Sequence, residues 1–182
     1  QSCYRILRLV SNLETVPQLL EPASLSLCDE DVAALCYEVW NNCYALAEEL
    51  GLDLQYRLER EHYTAAIHSQ ALRRLLLNLL SNAFKATPRD GHIILSLKIT
   101  SASLLLSVSD TGRGIPLQQL EELFDFSQVP DPSRLLPGGT GLGLPICQWI
   151  AQAHGGSIAA VSTEGKGTTV TVALPNRCSG VT

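Results

Sequence analysis

The sequence is short of charged residues and has no methionine, and both shortages narrow the kind of protein it can be. Charged residues are 17% of the 182 residues and hydrophobic residues are 46%, which excludes an intrinsically disordered chain. The length suffices for one domain with its own hydrophobic core. Because methionine is absent at residue 1 and everywhere else, we expect the chain to be a fragment of a longer protein.

Long apolar runs and basic runs are also missing. No apolar run approaches the roughly 18 residues that span a bilayer, and the N terminus lacks the basic-then-apolar layout of a signal peptide. We therefore predict a cytoplasmic fragment without direct membrane contact, and an inner-membrane anchor elsewhere in the parent protein stays open. The formal net charge is −5 and the longest basic run is the pair Arg73 and Arg74, which argues against a nucleic-acid groove built on phosphate neutralisation.

The cysteines contain no CxxC pair and no zinc-like spacing. They are Cys3, Cys28, Cys36, Cys43, Cys147 and Cys178. Cys36 and Cys43 lie seven residues apart in a predicted helix and therefore share one face. We expect reduced thiols in the core of a cytosolic protein, in preference to metal ligands or disulfides.

Apolar periodicity predicts a mixture of helices and strands. Helices are predicted over residues 4–13, from a cap at Asp29 or Asp31 to Leu50, and over 71–86, 117–124 and 143–154. Strands are predicted over 24–28, 53–59, 65–67, 93–99, 104–108, 158–161 and 168–174, and a mobile loop over 127–137. The pattern indicates an α+β fold, a two-layer sandwich of a mixed β-sheet with helices on one face.

Three polar clusters interrupt these apolar elements. Asn78, Asn82 and Lys85 follow one another at spacings of four and three, so they share one stripe of a helix. Asp110-Thr-Gly-Arg-Gly114 leaves a strand, and Gly138-Gly-Thr-Gly-Leu-Gly143 opens a helix. Alone, each cluster is more often an ordinary turn or a solvated face, whereas the three in this order indicate a nucleotide site.

Each cluster has a use around a nucleotide. Glycines at a helix N terminus let backbone N–H groups approach phosphate oxygens. The amide oxygen of Asn82 can ligate Mg²⁺, and Lys85 can neutralise a phosphate. Asp110 is costly to bury without a donor, and an adenine amino group is such a donor. The common phosphate motifs are missing, because there is no GxxxxGK[ST] and residues 139–144 lack the third glycine of the dinucleotide fingerprint.

The clusters resemble the sequence boxes of sensor histidine kinases. The similar segments are Asn78-Leu-Leu-Ser-Asn-Ala-Phe-Lys-Ala-Thr87 for the N box, Asp110-Thr-Gly-Arg-Gly-Ile-Pro116 for G1, Leu123-Phe-Asp-Phe126 for the F box, and Gly138-Gly-Thr-Gly-Leu-Gly-Leu144 for G2. The similarity continues through His154-Gly-Gly156 and covers about residues 23–175. It implies a Bergerat-type ATP-binding fold, shared with gyrase, mismatch-repair and chaperone ATPases. We accordingly expect the domain at 23–175, the end of an upstream dimerisation helix with a linker at 1–22, and a tail at 176–182.

The resemblance also implies roles for single residues. Asn82, helped by Asn78, would hold Mg²⁺. The residues assigned to catalysis are Asn78, Lys85 and Arg134. Arg134 would be the cation that reaches the γ-phosphate. Asp110 would accept a hydrogen bond from the adenine amino group. The residues assigned to ATP binding are Asn82, Lys85, Asp110, Gly112, Gly114, Ile115, Thr140, Gly141, Leu142, Gly143, Leu144 and Thr168.

The resemblance further favours phosphate transfer over ATP hydrolysis. Hydrolytic relatives place a glutamate at the position of Asn78 to activate water, and an amide cannot take that proton. The implied reaction is transfer of the γ-phosphate to a histidine on the protein's own dimerisation domain, and then to a response regulator receiver domain. The chain's own histidines lack the acid-flanked setting of an acceptor, so we expect surface or structural roles for His62, His68, His92 and His154.

Two departures from the family pattern leave other functions open. Ala86 stands where the family places an aromatic residue against the base, while Phe84 precedes the lysine and could pack in the core. Phe126 follows Asp125 directly, which makes the F box one residue short. A degenerate nucleotide-binding regulatory module would tolerate both departures. An anti-sigma-type serine kinase shares the same boxes, although the predicted helix at 4–13 favours the histidine kinase.

Overall fold

The computed structural model describes residues 25–120, 123 and 143–177. The predicted helix at 4–13, the predicted loop at 127–137 and most of the tail lie outside these residues. The elements within them, in chain order, are β1 (Cys28–Asp31), α1 (Val32–Leu50), β2 (Asp53–Leu58), β3 (Thr64–Ile67), α2 (Ser69–Ala86), β4 (His92–Ile99), β5 (Ser103–Asp110), α3 (Leu117–Leu120), α4 (Gly143–Ala153), β6 (Ser157–Thr163) and β7 (Gly167–Pro175).

The main sheet has five strands in the order β2-β4-β5-β7-β6. Strand β2 runs parallel to β4, and the other neighbours are antiparallel. Strands β1 and β3 form a separate antiparallel pair. The mixed sheet with its helices confirms the predicted α+β fold.

Alternation along the strands places one face of the sheet against the helices. Helices α1 and α2 pack on the β2, β4 and β5 side, and α4 packs on β6 and β7. The buried strand residues of this face are Leu54, Ile93, Leu95, Leu97, Leu104, Leu106, Val108, Val172 and Leu174. Because burying one such side chain contributes on the order of 1.5–3 kcal/mol, this layer is the main source of stability.

Helix α1 has a cap at each end. The Asp31 carboxylate accepts a hydrogen bond from the Ala34 N–H at 3.0 Å, so Asp31 and not Asp29 is the N-cap. At the other end Gly51 adopts the left-handed conformation, with φ of 69°, and its N–H contacts the Ala47 and Glu48 carbonyls. The predicted end at Leu50 is confirmed.

Helix α2 begins two residues before the predicted start, at Ser69. Its N-cap is His68, whose Nδ1 accepts from the Ala71 N–H at 3.2 Å. Histidine is outside the usual set of capping residues, so this start carried no sequence signal. The predicted core face is confirmed for Leu72, Leu75, Leu76, Leu79, Leu80 and Ala83, and Asn78 and Phe84 are buried as well.

The position of β1 differs from the prediction. The sequence predicted a strand over 24–28, whereas β1 is Cys28–Asp31 and pairs Glu30 with Ala65. Three consecutive acidic residues give no strand alternation, so only the pairing with β3 makes this segment extended. Of the predicted helix at 117–124, the described part is α3.

The cysteines follow the predicted pattern with one exception. Cys36 and Cys43 are both buried on the inner side of α1, which confirms their shared face. Burial raises the pKa of Cys36 to about 12 and that of Cys43 to about 11. Cys147 is likewise buried, but Cys28 is exposed, so the prediction of a core thiol was wrong there. Cys3 and Cys178 lie outside the described residues.

No helix in the described part of the chain combines the length and apolar character needed to cross a membrane.

Replacing Asp31 with alanine is expected to lower the free energy of unfolding by about 1 kcal/mol, because α1 loses its N-cap acceptor. The same carboxylate also accepts from the Tyr63 N–H at 3.1 Å and contacts His62 Nδ1 at 2.7 Å. Urea unfolding at pH 7 measures the difference. As a control, Glu30→Ala removes an exposed acid one residue away and should change the free energy by less than about 0.5 kcal/mol.

The effect of Asp31→Ala is expected to shrink in acid. Burial raises the pKa of Asp31, but hydrogen bonds from Ala34, His62 and Tyr63 outweigh it and hold the pKa below its usual 3.8. A depressed carboxyl pKa gives stability that is present above pH 3.8 and lost as the pH falls through the folded-state pKa. A difference between the two proteins that stays constant down to pH 2 would contradict this assignment.

Candidate functional site

The polar stripe of α2 meets the first residue of α4. A Cβ built on Gly143 would lie 3.8 Å from Asn82 Nδ2 and 4.0 Å from Asn78 Oδ1. Two of the three predicted clusters are therefore neighbours in the fold. A helix N terminus carries unpaired N–H groups and partial positive charge, so this junction suits an anion.

Helices α2 and α4 are antiparallel, and this arrangement places the N terminus of α4 beside the polar stripe of α2. Midway along the pair, the Cys147 thiol lies 3.6 Å from the Leu75 carbonyl oxygen. At the far end, the His68 N–H donates to His154 Nε2 at 3.0 Å. The start of α4 can therefore face only the C-terminal half of α2.

Burial decreases along the polar stripe of α2, from Asn78 to Lys85. Asn78 is only 8% exposed, Asn82 is half-buried and Lys85 is exposed. The Asn78 Nδ2 atom is buried and makes no hydrogen bond of good geometry among the described residues, although the Cys147 sulfur, a weak acceptor, lies near the Asn78 amide. A buried amide without a partner costs about 1–3 kcal/mol, and such groups mark places where a ligand or water completes the bonding.

The third cluster surrounds Asp110, the last residue of β5. Its Oδ1 accepts from the Gly112 N–H at 2.8 Å and from the Thr168 N–H at 3.3 Å. Burial raises the pKa of the Asp110 carboxyl, and the two N–H groups offset only part of the increase. The carboxyl group is thus half-buried, held in one orientation, and able to accept from a ligand.

Gly112 connects this cluster to the end of α2. A Cβ on Gly112 would lie 2.5 Å from the Ala86 carbonyl oxygen, so a larger residue would push the turn off the helix. The Arg113 N–H donates to the same carbonyl at 3.2 Å. Because Lys85 directly precedes Ala86, the last turn of α2, which includes Lys85, lies next to the Asp110 cluster.

The β6–β7 hairpin holds the other side of the same loop. Gly114 has a φ of 67°, and a Cβ there would overlap the Thr163 carbonyl oxygen. The Gly165 N–H donates to the Arg113 carbonyl at 2.7 Å. The loop after β5 is therefore clamped between α2 and the hairpin.

Ser162 supports the site although the sequence did not indicate it. Its hydroxyl accepts from the Ile115 N–H at 2.8 Å, donates to the Gly167 carbonyl at 2.9 Å and lies 2.9 Å from Thr168 Oγ1. The predicted strand ended one residue earlier, and a serine in a strand gives no local signal. Only the fold brings it to Ile115.

The described site residues fall into two groups joined at the end of α2. Asn78, Asn82 and Gly143 form the first group. The second consists of Asp110, Gly112, Gly114, Ile115 and Thr168. Leu144 is half-buried and packs against the core, and Phe84 is buried in the core as foreseen. Arg134, Thr140, Gly141 and Leu142 lie outside the described residues.

Comparison with known proteins identifies the family. The model for histidine kinase-, DNA gyrase B- and HSP90-like ATPases matches residues 67–177, more than half of the chain. The sensor histidine kinase WalK of Bacillus subtilis is 45% identical over 112 residues, which are 60% of this chain and 18% of WalK. The chain thus spans only a small part of such relatives.

Solved structures share the fold. The catalytic domain of histidine kinase ThkA matches with a TM-score of 0.72 and 24% identity, over 83% of this chain and 96% of that domain. ThkA in complex with the response regulator protein TrrA matches with a TM-score of 0.74 and 22% identity, over 94% of this chain and 48% of that one. The chain belongs to the histidine kinase-, DNA gyrase B- and HSP90-like ATPase family, and its domain is an ATP-binding catalytic domain of the sensor histidine kinase type.

Proposed function

We propose that the domain binds Mg·ATP and transfers the γ-phosphoryl group to a histidine on the dimerisation domain of the same protein. The phosphoryl group then passes to an aspartate of a response regulator receiver domain. The observation that carries the proposal is the contact of the α4 start, at Gly143, with Asn78 and Asn82. It combines an anion-binding helix end with amide oxygens in one place.

The two groups of site residues suit the two ends of ATP. The half-buried Asp110 carboxyl suits the adenine amino group, because burial strengthens a hydrogen bond to a charged acceptor. The α4 start suits the phosphates. Lys85 lies about one turn after Asn82 and is exposed, and its long side chain could place an ammonium charge near a phosphate oxygen.

The asparagines fit Mg²⁺ better than a metal that needs protein carboxylates or thiolates. No group of three His, Cys, Asp or Glu side chains is placed to hold a metal within residues 25–120 and 143–177. Mg²⁺ is bound through few protein oxygens together with phosphates, and Asn82 and Asn78 would supply amide oxygens. When bound, the ion would neutralise phosphate charge and orient the γ-phosphoryl group.

Transfer is favoured over hydrolysis by the chemistry of Asn78. This side chain is buried beside the α4 start, where a hydrolytic enzyme would need a base to accept a proton from water. An amide cannot accept it. In this mechanism the domain positions Mg·ATP and an imidazole from another domain attacks.

The histidines of this chain are engaged elsewhere, which supports an acceptor outside the domain. His62 and His92 are exposed and paired with Asp31 and Asp53. His68 caps α2, and His154 is buried at the C-terminal end of α4. The proposed acceptor lies on a dimerisation domain whose last helix would include residues 1–13. A response regulator is the proposed onward partner because ThkA is solved with one.

Asp110→Asn is expected to weaken binding of a non-hydrolysable ATP analogue by at least about tenfold. The substitution keeps the shape but removes the charged acceptor, and such a hydrogen bond contributes about 1.5–3 kcal/mol. Calorimetric titration at pH 7.5 gives the affinity. The matched control is Asp53→Asn, which removes an exposed carboxylate on the edge strand β2, two strands away from β5. Equal affinities for Asp110→Asn and the unmodified protein would show that the adenine base does not bind at Asp110.

Asn82→Ala is expected to remove the dependence of binding on Mg²⁺, because its amide oxygen would be lost as a ligand. The titration is repeated with Mg²⁺ and with a chelator. In the unmodified protein Mg²⁺ should tighten binding, whereas the variant should show the same weak affinity in both. Asn42→Ala on the exposed side of α1 is the control and should keep the Mg²⁺ effect. A full Mg²⁺ effect in Asn82→Ala would contradict the assignment.

The chain by itself is expected to bind ATP without labelling itself. With γ-labelled ATP, no acid-labile, base-stable phosphate should form, because its own histidines have structural partners. Stable label on His62, His68, His92 or His154 would overturn this. Nucleotide binding that never leads to transfer, even when the whole parent protein is tested, would instead indicate the regulatory module. The short side chain of Ala86 next to Gly112 is compatible with such a module.

A further inference from the structure

We infer that His154 is a positioning residue for the nucleotide site. Its neutral imidazole ties the C terminus of α4 to the N terminus of α2 and thereby sets where Gly143, at the opposite end of α4, meets Asn78 and Asn82. The inference rests on the proposed function, because this opposite end is the one proposed to hold the phosphates. His154 itself touches none of the residues that are proposed to bind ATP.

The imidazole of His154 is held by both nitrogens. It follows the last residue of α4 and is 2% exposed. Nδ1 lies 2.8 Å from the Ile150 carbonyl oxygen, and Nε2 lies 3.0 Å from the His68 backbone nitrogen. The carbonyl can only accept and the backbone N–H can only donate. Nδ1 therefore carries the proton, and Nε2 offers its lone pair.

The partner of Nε2 is the residue that starts α2. His68 caps that helix through its own Nδ1, which accepts from the Ala71 N–H at 3.2 Å, and its carbonyl accepts from the Leu72 N–H at 3.0 Å. The bond from His154 thus reaches the first backbone unit of a rigid helix. A displacement here changes the alignment of α4 on α2.

The alignment matters at the other end because α4 is short. Its eleven residues span about 16 Å, at 1.5 Å per residue. Cys147 contacts Leu75 near the middle, and Gly143 lies at the stripe. A small tilt about the middle contact would move Gly143 away from the asparagines. Since phosphate binding at a helix end requires close N–H groups, the affinity should respond to that tilt.

The surroundings of His154 favour its neutral form. Burial lowers its pKa, and the nearby His68 from α2 and Arg177 from the segment after β7 lower it further, while the Ile150 carbonyl opposes them. Protonation would place a second N–H against the His68 N–H and break the bond. The bond is therefore intact above the ordinary histidine pKa of 6.5 and is lost as the pH falls through the lowered pKa.

The test compares pH profiles of affinity for a non-hydrolysable ATP analogue with Mg²⁺ between pH 8 and 5. His154→Gln keeps an acceptor for the His68 N–H but cannot be protonated. The unmodified protein should lose more affinity than His154→Gln as the pH falls through the lowered His154 pKa. His154→Ala should bind more weakly at every pH.

Two controls separate His154 from other titrating groups. His68→Asn keeps both the cap acceptor and the backbone N–H, and His62→Gln changes an exposed histidine. His62→Gln should retain the profile of the unmodified protein. His68→Asn should keep the loss of affinity in acid but move its midpoint to higher pH, because the His68 charge that lowers the His154 pKa is removed. Titration of Asp110 and of the nucleotide itself is common to all variants and cancels in the comparison. The same profile in His154→Gln and the unmodified protein would overturn the inference.

A second readout needs no nucleotide. In the free protein, the Gly143 amide resonance should shift with the same midpoint as the His154 ring, and the shift should vanish in His154→Gln. If nucleotide does not bind at all, the proposed function fails, and this coupling still decides the inference. A Gly143 resonance that ignores the titration of His154 would overturn it even where nucleotide binds.

Discussion

The antiparallel packing of α2 against α4 is the constraint on which the site depends. It brings the first N–H groups of α4 to the polar stripe of α2. The contact buries Asn78 and leaves its Nδ2 without a hydrogen bond of good geometry among the described residues, which opposes folding. Apolar residues on both helices, such as Leu75, Leu79 and Ile150, offset that cost. A destabilising polar group retained at a junction of two helices is typical of a ligand site.

A second constraint fixes the Asp110 end of the site through backbone contacts. Gly112 lies against the Ala86 carbonyl, and Gly114 lies against the hairpin after β6. Neither contact leaves room for a side chain, so the loop has one position relative to α2. The two ends of the site are therefore held at a set separation by the same helix, as recognition of one elongated ligand requires.

The sequence predicted best what local rules govern. The apolar spacing of Leu72, Leu75 and Leu79 gave the core face of α2, and Gly51 ended α1 as expected. Tertiary contacts decided what was missed: β1 is extended because it pairs with β3, and His68 caps α2 under the hydrogen bond from His154. The three clusters could be predicted to serve a nucleotide, but spacing alone could not show that Gly143 meets Asn78. Ser162 acts through three partners that only the fold assembles.

The measurement that tests the site most directly is an NMR titration of the chain with Mg²⁺ and a non-hydrolysable ATP analogue. The largest shifts should occur at both ends of the site, at Asn78, Asn82 and Gly143 and at the loop after Asp110. Residues of β2 and the exposed side of α1 should stay unchanged. Saturable shifts confined to other surfaces, or none at millimolar nucleotide in a folded protein, would contradict the site described above.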